Sequence, residues 1–275
     1  MRRKKFRALI EENRWLKGIP TTLTIGNSLC GFGAILYTLN AYSSDHDIVP
    51  GILALSAYIV LAAMIFDALD GFTARLFNAA SMHGMQMDSL ADMVTFGVAP
   101  AVITAVMAHR LKDLHGHSFY LVWIMSAIYL GCAALRLATY NVHALLEKKS
   151  SDKFSGLPSP GAAAAICSLV IYFDYCNAEF SVIVRFLPFY TGILGLLMVS
   201  KIRYQHMAKW LQSVRRNNTR LMILIVLIAL IIWNPIPVIT FAINSYVLLG
   251  PISAAFRQIK KLASQKPKQE LTPST

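Results

Sequence analysis

Eight apolar runs, each followed by a short polar or basic connection, make up most of this chain. They fall near residues 22–42, 50–77, 85–109, 118–143, 159–177, 181–200, 219–233 and 236–255. Most approach or exceed the roughly 18–20 apolar residues that a helix needs to cross a bilayer. A soluble domain usually carries about a quarter charged residues, whereas here 15% are charged and 56% of the 275 residues are hydrophobic. The pattern predicts an all-α integral membrane protein with one membrane domain. The second and fourth runs are long enough to tilt or to protrude into water. The seventh and eighth are short and separated only by the Trp233–Pro237 turn, so a re-entrant pair is an alternative to two spans.

In a soluble chain, a net charge of +12 would point to nucleic acid. Here the basic residues collect between apolar runs, where orientation in the membrane explains them. Taken alternately, one side receives the basic N-terminal segment, then Arg75, then Lys148, Lys149 and Lys153. Lys201 to Arg220 and Arg257 to Lys268 fall on that side too, while the other side has only Arg110, Lys112 and Arg185. This asymmetry puts both termini in the cytoplasm. Residues 2–19 interleave Arg and Lys with Phe6, Leu9, Ile10, Trp15 and Leu16, as an interfacial amphipathic helix would, a flexible basic tail being the alternative. No small-residue cleavage site follows the first apolar run, which is expected to stay as a helix. Cys30, Cys132, Cys167 and Cys176 are scattered without paired metal spacing and read as small buried hydrophobes.

Against this apolar background, the stretch DALDGFTARLFNAASMHGMQMDSLAD from Asp67 to Asp92 holds four of the 14 acidic residues. A carboxylate at bilayer depth costs about 2.5–3.5 kcal/mol on insertion scales, so intramembrane acids are functional by default. Asp67, Asp70 and Gly71 share one helix face, and Asp88 and Asp92 share a face of the next, with Gly84 one turn earlier. Antiparallel helices joined near Asn78–His83 would bring the two pairs together near the cytoplasmic surface. Four carboxylates in one site need compensating positive charge, which hard oxygen-seeking cations such as Mg²⁺ or Mn²⁺ supply. Gly71, Ala74 and Gly84 leave room for a bulky ligand, and Arg75 is suited to gripping phosphate. The residues alone allow metal-assisted phosphoryl transfer, a proton or cation pathway, or helix-pairing salt bridges. His83, alone in the turn, is expected to be solvated.

The string D-x-x-D-G-x-x-A-R, eight residues, then G-x-x-x-D-x-x-x-D resembles the signature of the CDP-alcohol phosphotransferases, and all eight fixed positions match. That resemblance implies a six-helix membrane core that displaces CMP from a CDP-linked lipid or alcohol with a hydroxyl nucleophile. It implies that Asp67, Asp70, Asp88 and Asp92 bind two divalent ions, Mg²⁺ or Mn²⁺, with Asp92 also the general base. Asp70, Gly71, Ala74, Arg75 and Gly84 would then hold the CDP portion. The implied organisation is a basic amphipathic segment at 1–20 and a six-helix catalytic domain at 21–205. Two extra transmembrane helices at 206–256 and a basic polar tail at 257–275 complete it. A homodimer in the cell membrane is the family's usual form.

The flanks narrow the acceptor. MDSLADMVTFGVAPA from Met87, PTTLTIGNSLCGF from Pro20, ALRLATYN from Ala134 and FSGLPSPGAAA from Phe154 are similar to bacterial CDP-diacylglycerol–serine O-phosphatidyltransferases. Met93 stands where glycerol-phosphate-using relatives carry lysine and inositol-using relatives arginine. The implied reaction is phosphatidyl transfer from CDP-diacylglycerol to L-serine, with another acceptor alcohol as the alternative and an ion-coupled transporter behind both. Where LPNLLT is common in those enzymes this chain has IPTTLT, which leaves Asn27 in place but weakens any role for Thr21 or Thr22. Asn27, Arg136 and Asn141 are the candidates for contact with the acceptor or a phosphate. For Arg136, snorkelling or pairing with an acid is the alternative, and for Asn27, bridging of helices.

Overall fold

The computed structural model describes residues 18–45, 49–77, 81–110, 118–146, 156–176, 181–202, 204, 222 and 228–264. The expected interfacial helix, most of the seventh apolar run and the C-terminal tail lie outside them. Six of the eight expected spans appear as helices close to the predicted bounds: α1 Ile19–Asn40, α2 Val49–Leu76, α3 Met82–Asp92 running on towards α4 Ala99–Arg110, α5 Phe119–Leu146, α6 Ser159–Tyr175 and α7 Ser181–Val199. Of the seventh run, residues 228–233 are helical. The eighth is α8 Pro235–Ser264, at 30 residues much longer than expected. Among the described residues every regular element is helical. Six helices there are long and apolar enough to cross a membrane, and the chain is a multi-pass, all-α integral membrane protein.

The one core helix below that length is α6, with 17 residues. It lies at the centre of the bundle: Ala162, Ala163, Ala165, Ile166 and Cys167 are fully buried. Its small side chains let neighbours approach closely, as in helix packing within lipid, where small residues replace the hydrophobic drive. Leu29, Phe32 and Leu36 on α1 and Trp123 and Ile124 on α5 are exposed, as lipid-facing positions should be.

Three further features depart from the sequence reading. The third span is not one regular helix: Met93–Val98 is π-helical, between α3 and α4. And His83 is in the first turn of α3, not in the connecting turn, although it is exposed as expected. Ser81 caps α3, its hydroxyl accepting from the Gly84 amide at 3.0 Å. The turn between the last two runs is also narrower than predicted, with Asn234 alone separating residues 228–233 from Pro235.

Candidate active site

α2 ends, and α3 begins, at the same end of the bundle, and that is what gathers the acids. Asp67 and Asp70 sit in the last turns of α2, and Asp88 and Asp92 in the second half of α3. One carboxylate oxygen from each of Asp67, Asp70 and Asp88 lies within 4.8 Å of the others. At that separation each like-charge pair repels by at least about 3 kcal/mol at an effective dielectric of 20. Asp92 stands beside Asp67. Asp88 Oδ1 is buried and has no hydrogen-bond partner. Three carboxylates drawn this close, one of them with an orphaned buried oxygen, are a donor set for a hard divalent cation, and the residues present fit one.

The first helix holds this cluster from the side. The Thr24 hydroxyl lies 2.9 Å from Asp70 Oδ2 and 3.0 Å from the Pro20 carbonyl. Asn27 Nδ2 donates to Asp92 Oδ1 at 3.2 Å. One turn further, Gly31 touches the π-helical segment: an added Cβ would stand 2.8 Å from Thr95 Cα. That contact lets the Thr95 hydroxyl donate to the Asn27 carbonyl at 3.0 Å. On the opposite side, the buried Tyr129 hydroxyl donates to the Phe96 carbonyl at 2.8 Å. π-Helical turns loosen the backbone hydrogen-bond ladder, and here two side-chain hydroxyls are bonded across the segment. Thr24, Thr95 and Tyr129 are the residues that sequence reasoning missed. Thr24 had one usable signal, its position three residues before Asn27 on the same helix face.

The remaining candidates sit as follows. A Cβ on Gly71 would meet only Arg75 Nη2, at 4.0 Å, so the space above that glycine is open. Arg75 is exposed, and its Nε donates to the Gly71 carbonyl at 2.8 Å, which folds the side chain back over that opening. Ala74 and Gly84 are half-buried. Asn141 accepts from Ser89, the neighbour of Asp88, at 3.0 Å, joining α5 to α3. Arg136 Nη1 donates to the Met198 carbonyl at 3.1 Å, at the end of α7. It also lies against Gly156, with Tyr140 and Tyr246 nearby.

Residues 17–194 match the family model described as CDP-alcohol phosphatidyltransferase. Among characterised proteins, the chain is 31% identical to a CDP-diacylglycerol–serine O-phosphatidyltransferase of Helicobacter pylori over 245 residues, covering 88% of this chain and 92% of that one. It is 34% identical to the Bacillus subtilis protein of that name over 194 residues, covering 70% of this chain and 92% of the relative. An archaetidylserine synthase of Methanothermobacter thermautotrophicus is 29% identical over 190 residues, 68% of this chain and 69% of that one.

Proposed function

The chain belongs to the CDP-alcohol phosphatidyltransferase family, and from that membership we propose that it transfers a phosphatidyl group from CDP-diacylglycerol to L-serine, giving phosphatidylserine and CMP. The observation that carries this reading is the meeting of Asp67, Asp70 and Asp88 with Asp92 beside them. Serine as acceptor is supported by the activity for which relatives spanning most of the chain are named.

Asp67, Asp70 and Asp88 would hold Mg²⁺ or Mn²⁺, and Asp92, beside Asp67, would be the further carboxylate for a second ion. When bound, the metal neutralises the diphosphate and stabilises the departing CMP. Asp70, Gly71, Ala74, Arg75 and Gly84 hold the CDP moiety. The open space above Gly71 admits it, and Arg75 swings from the Gly71 carbonyl to a phosphate. Asp92 takes the proton of the serine hydroxyl as that oxygen bonds to the phosphorus attached to diacylglycerol, while the phosphorus–oxygen bond to CMP breaks. Arg136 and Asn141, on the cytoplasmic half of α5, are the candidates to contact serine or a phosphate.

The wider organisation follows the same reading, with a catalytic domain at 21–205, an N-terminal interfacial segment at 1–20 and two further helices from 206; the tail expected from 257 starts later, since α8 runs on to Ser264. Both termini and the site face the cytoplasm, the membrane is the cell's inner one, and the enzyme works as a homodimer. Purified protein given CDP-diacylglycerol, divalent metal and a panel of alcohols tests the reaction. Serine-dependent CMP release is expected. Release with glycerol phosphate or an inositol compound alone would reassign the acceptor, and no release with any alcohol would overturn the transferase reading.

A further inference from the structure

Asn27 and Thr24 lie one turn apart on α1, and each bonds a different carboxylate of the cluster. Asn27 has 0% exposure, and Thr24 and Asp70 have 5% and 4%. An amide so enclosed, with an N–H on Asp92, is placed to hold that carboxylate. Its Oδ1 is buried without a partner. Such an arrangement is costly, and it persists here because the backbone of Asn27 is fixed as well. The Asn27 carbonyl accepts from the Thr95 hydroxyl, three residues beyond Asp92 and inside the π-helical segment, so one residue of α1 holds two side chains of that stretch. Both donors are neutral. They orient a carboxylate while leaving its charge and one oxygen for the ion or the proton.

We propose that α1 is a brace with divided labour, in which Thr24 positions Asp70 as a metal ligand and Asn27 positions Asp92 as the base. The inference rests on the phosphatidyltransferase reading, and it makes Asn27 a positioning residue instead of one that binds serine. Outer-shell partners of metal ligands typically carry 10–100-fold effects on metal affinity or activity when removed.

The test compares Thr24→Val and Asn27→Ala in purified full-length protein, first by Mn²⁺ binding read from its electron paramagnetic resonance signal. Thr24→Val is expected to weaken Mn²⁺ binding at the Asp67–Asp70–Asp88 group about tenfold, and Asn27→Ala to change binding of that first, tighter ion by less than about twofold. Kinetics follow. At saturating metal, Asn27→Ala is expected to lower kcat by 10–100-fold with the KM for serine unchanged, whereas Thr24→Val regains activity as Mn²⁺ is raised. Thr24→Ser, which keeps the hydroxyl, should restore wild-type metal binding. If Asn27→Ala fails to fold, Asn27→Leu keeps the branched shape without the amide, and the same kcat loss is expected. A raised KM for serine with kcat preserved would make Asn27 an acceptor contact and overturn the proposal, as would equal loss of Mn²⁺ binding in both variants. Wild-type protein that releases no CMP would sink the transferase reading, and the Mn²⁺ comparison would still decide whether Thr24 and Asn27 serve different carboxylates.

Discussion

Gly31 and Thr95 meet backbone to backbone: a Cβ built on Gly31 would stand 2.8 Å from Thr95 Cα, closer than side-chain carbons approach a neighbouring main chain. The Thr95 hydroxyl is nearer still and could rotate, but Thr95 Cα is main chain and cannot, so accommodation requires α1 to move away from the π-helical segment. Moving it would stretch both the Thr95–Asn27 bond and the Asn27–Asp92 bond. Gly31→Ala should therefore cost stability and activity together. Overpacking of this kind costs about 1–3 kcal/mol, visible as a lower melting temperature in detergent with reduced CMP release.

Asp92 is the carboxylate outside the closest trio, and that position suits a base more than a primary ligand. Asp92→Asn keeps the size and a hydrogen-bonding group beside Asn27 but cannot take up the proton. Activity should fall by about 10²–10⁴ in protein that purifies in folded form. Full activity in that variant would remove the base from Asp92.

Three carboxylates within 4.8 Å repel each other until an ion joins them. Chelation should abolish CMP release, and added Mg²⁺ or Mn²⁺ should restore it. The ion should also protect the fold, since a ligand at a hundredfold excess over its Kd stabilises by about 2.7 kcal/mol. A melting temperature indifferent to divalent metal would count against an ion at the Asp67–Asp70–Asp88 group.

Gly156 is the described glycine with positive φ, at 96°, and a Cβ there would run into the Met198 carbonyl and stand 2.9 Å from Arg136 Nη1. Its amide donates to the Ile202 carbonyl at 2.7 Å, and the next amide, Leu157, to the Leu197 carbonyl at 3.1 Å. The chain entering α6 is thus fastened to the end of α7, with Arg136 on the same Met198 carbonyl. Gly156→Ala has to bear both a left-handed conformation, itself about 1–2 kcal/mol, and the collision. A loss of folded yield is expected, and Arg136→Lys, which keeps charge but changes the fork geometry, should show a milder loss of the same kind.

Much of this was legible in the sequence because charge within an apolar run is conspicuous. The four acids stood out at helical spacing, and the apolar runs gave six spans nearly to their ends. The π-helical segment was not legible: Met93–Val98 is apolar or small throughout except for Thr95, so one extra residue per turn leaves no trace in the pattern. The brace was only half visible. Asn27 could be named, but which group it would face depended on how α1 packs against α3, and Thr24 looked like one more threonine among Thr21, Thr22 and Thr24. Arg136 lies on the expected helix, while its bond to Met198 depends on a contact between α5 and α7, 62 residues apart in the chain, that spacing does not encode.

α8 lies beyond the residues matched by the family model, yet it is fastened to the core by polar side chains within the bundle. Asn244 is the hub: Nδ2 donates to Ser168 Oγ of α6 at 3.1 Å, and Oδ1 accepts from the Tyr190 hydroxyl of α7 at 2.6 Å. Thr240, one turn earlier, donates to the Ser168 carbonyl at 3.1 Å. Intramembrane hydrogen bonds average about 0.6 kcal/mol each, so Asn244→Ala, which removes two between helices, should cost roughly 1 kcal/mol. None of these groups touches the aspartates in the described contacts, so kcat for CMP release should stay within about twofold of wild type while the melting temperature falls by a few degrees. A large loss of kcat at unchanged melting temperature would show instead that α8 reaches into catalysis, and not only into the support of α6 and α7.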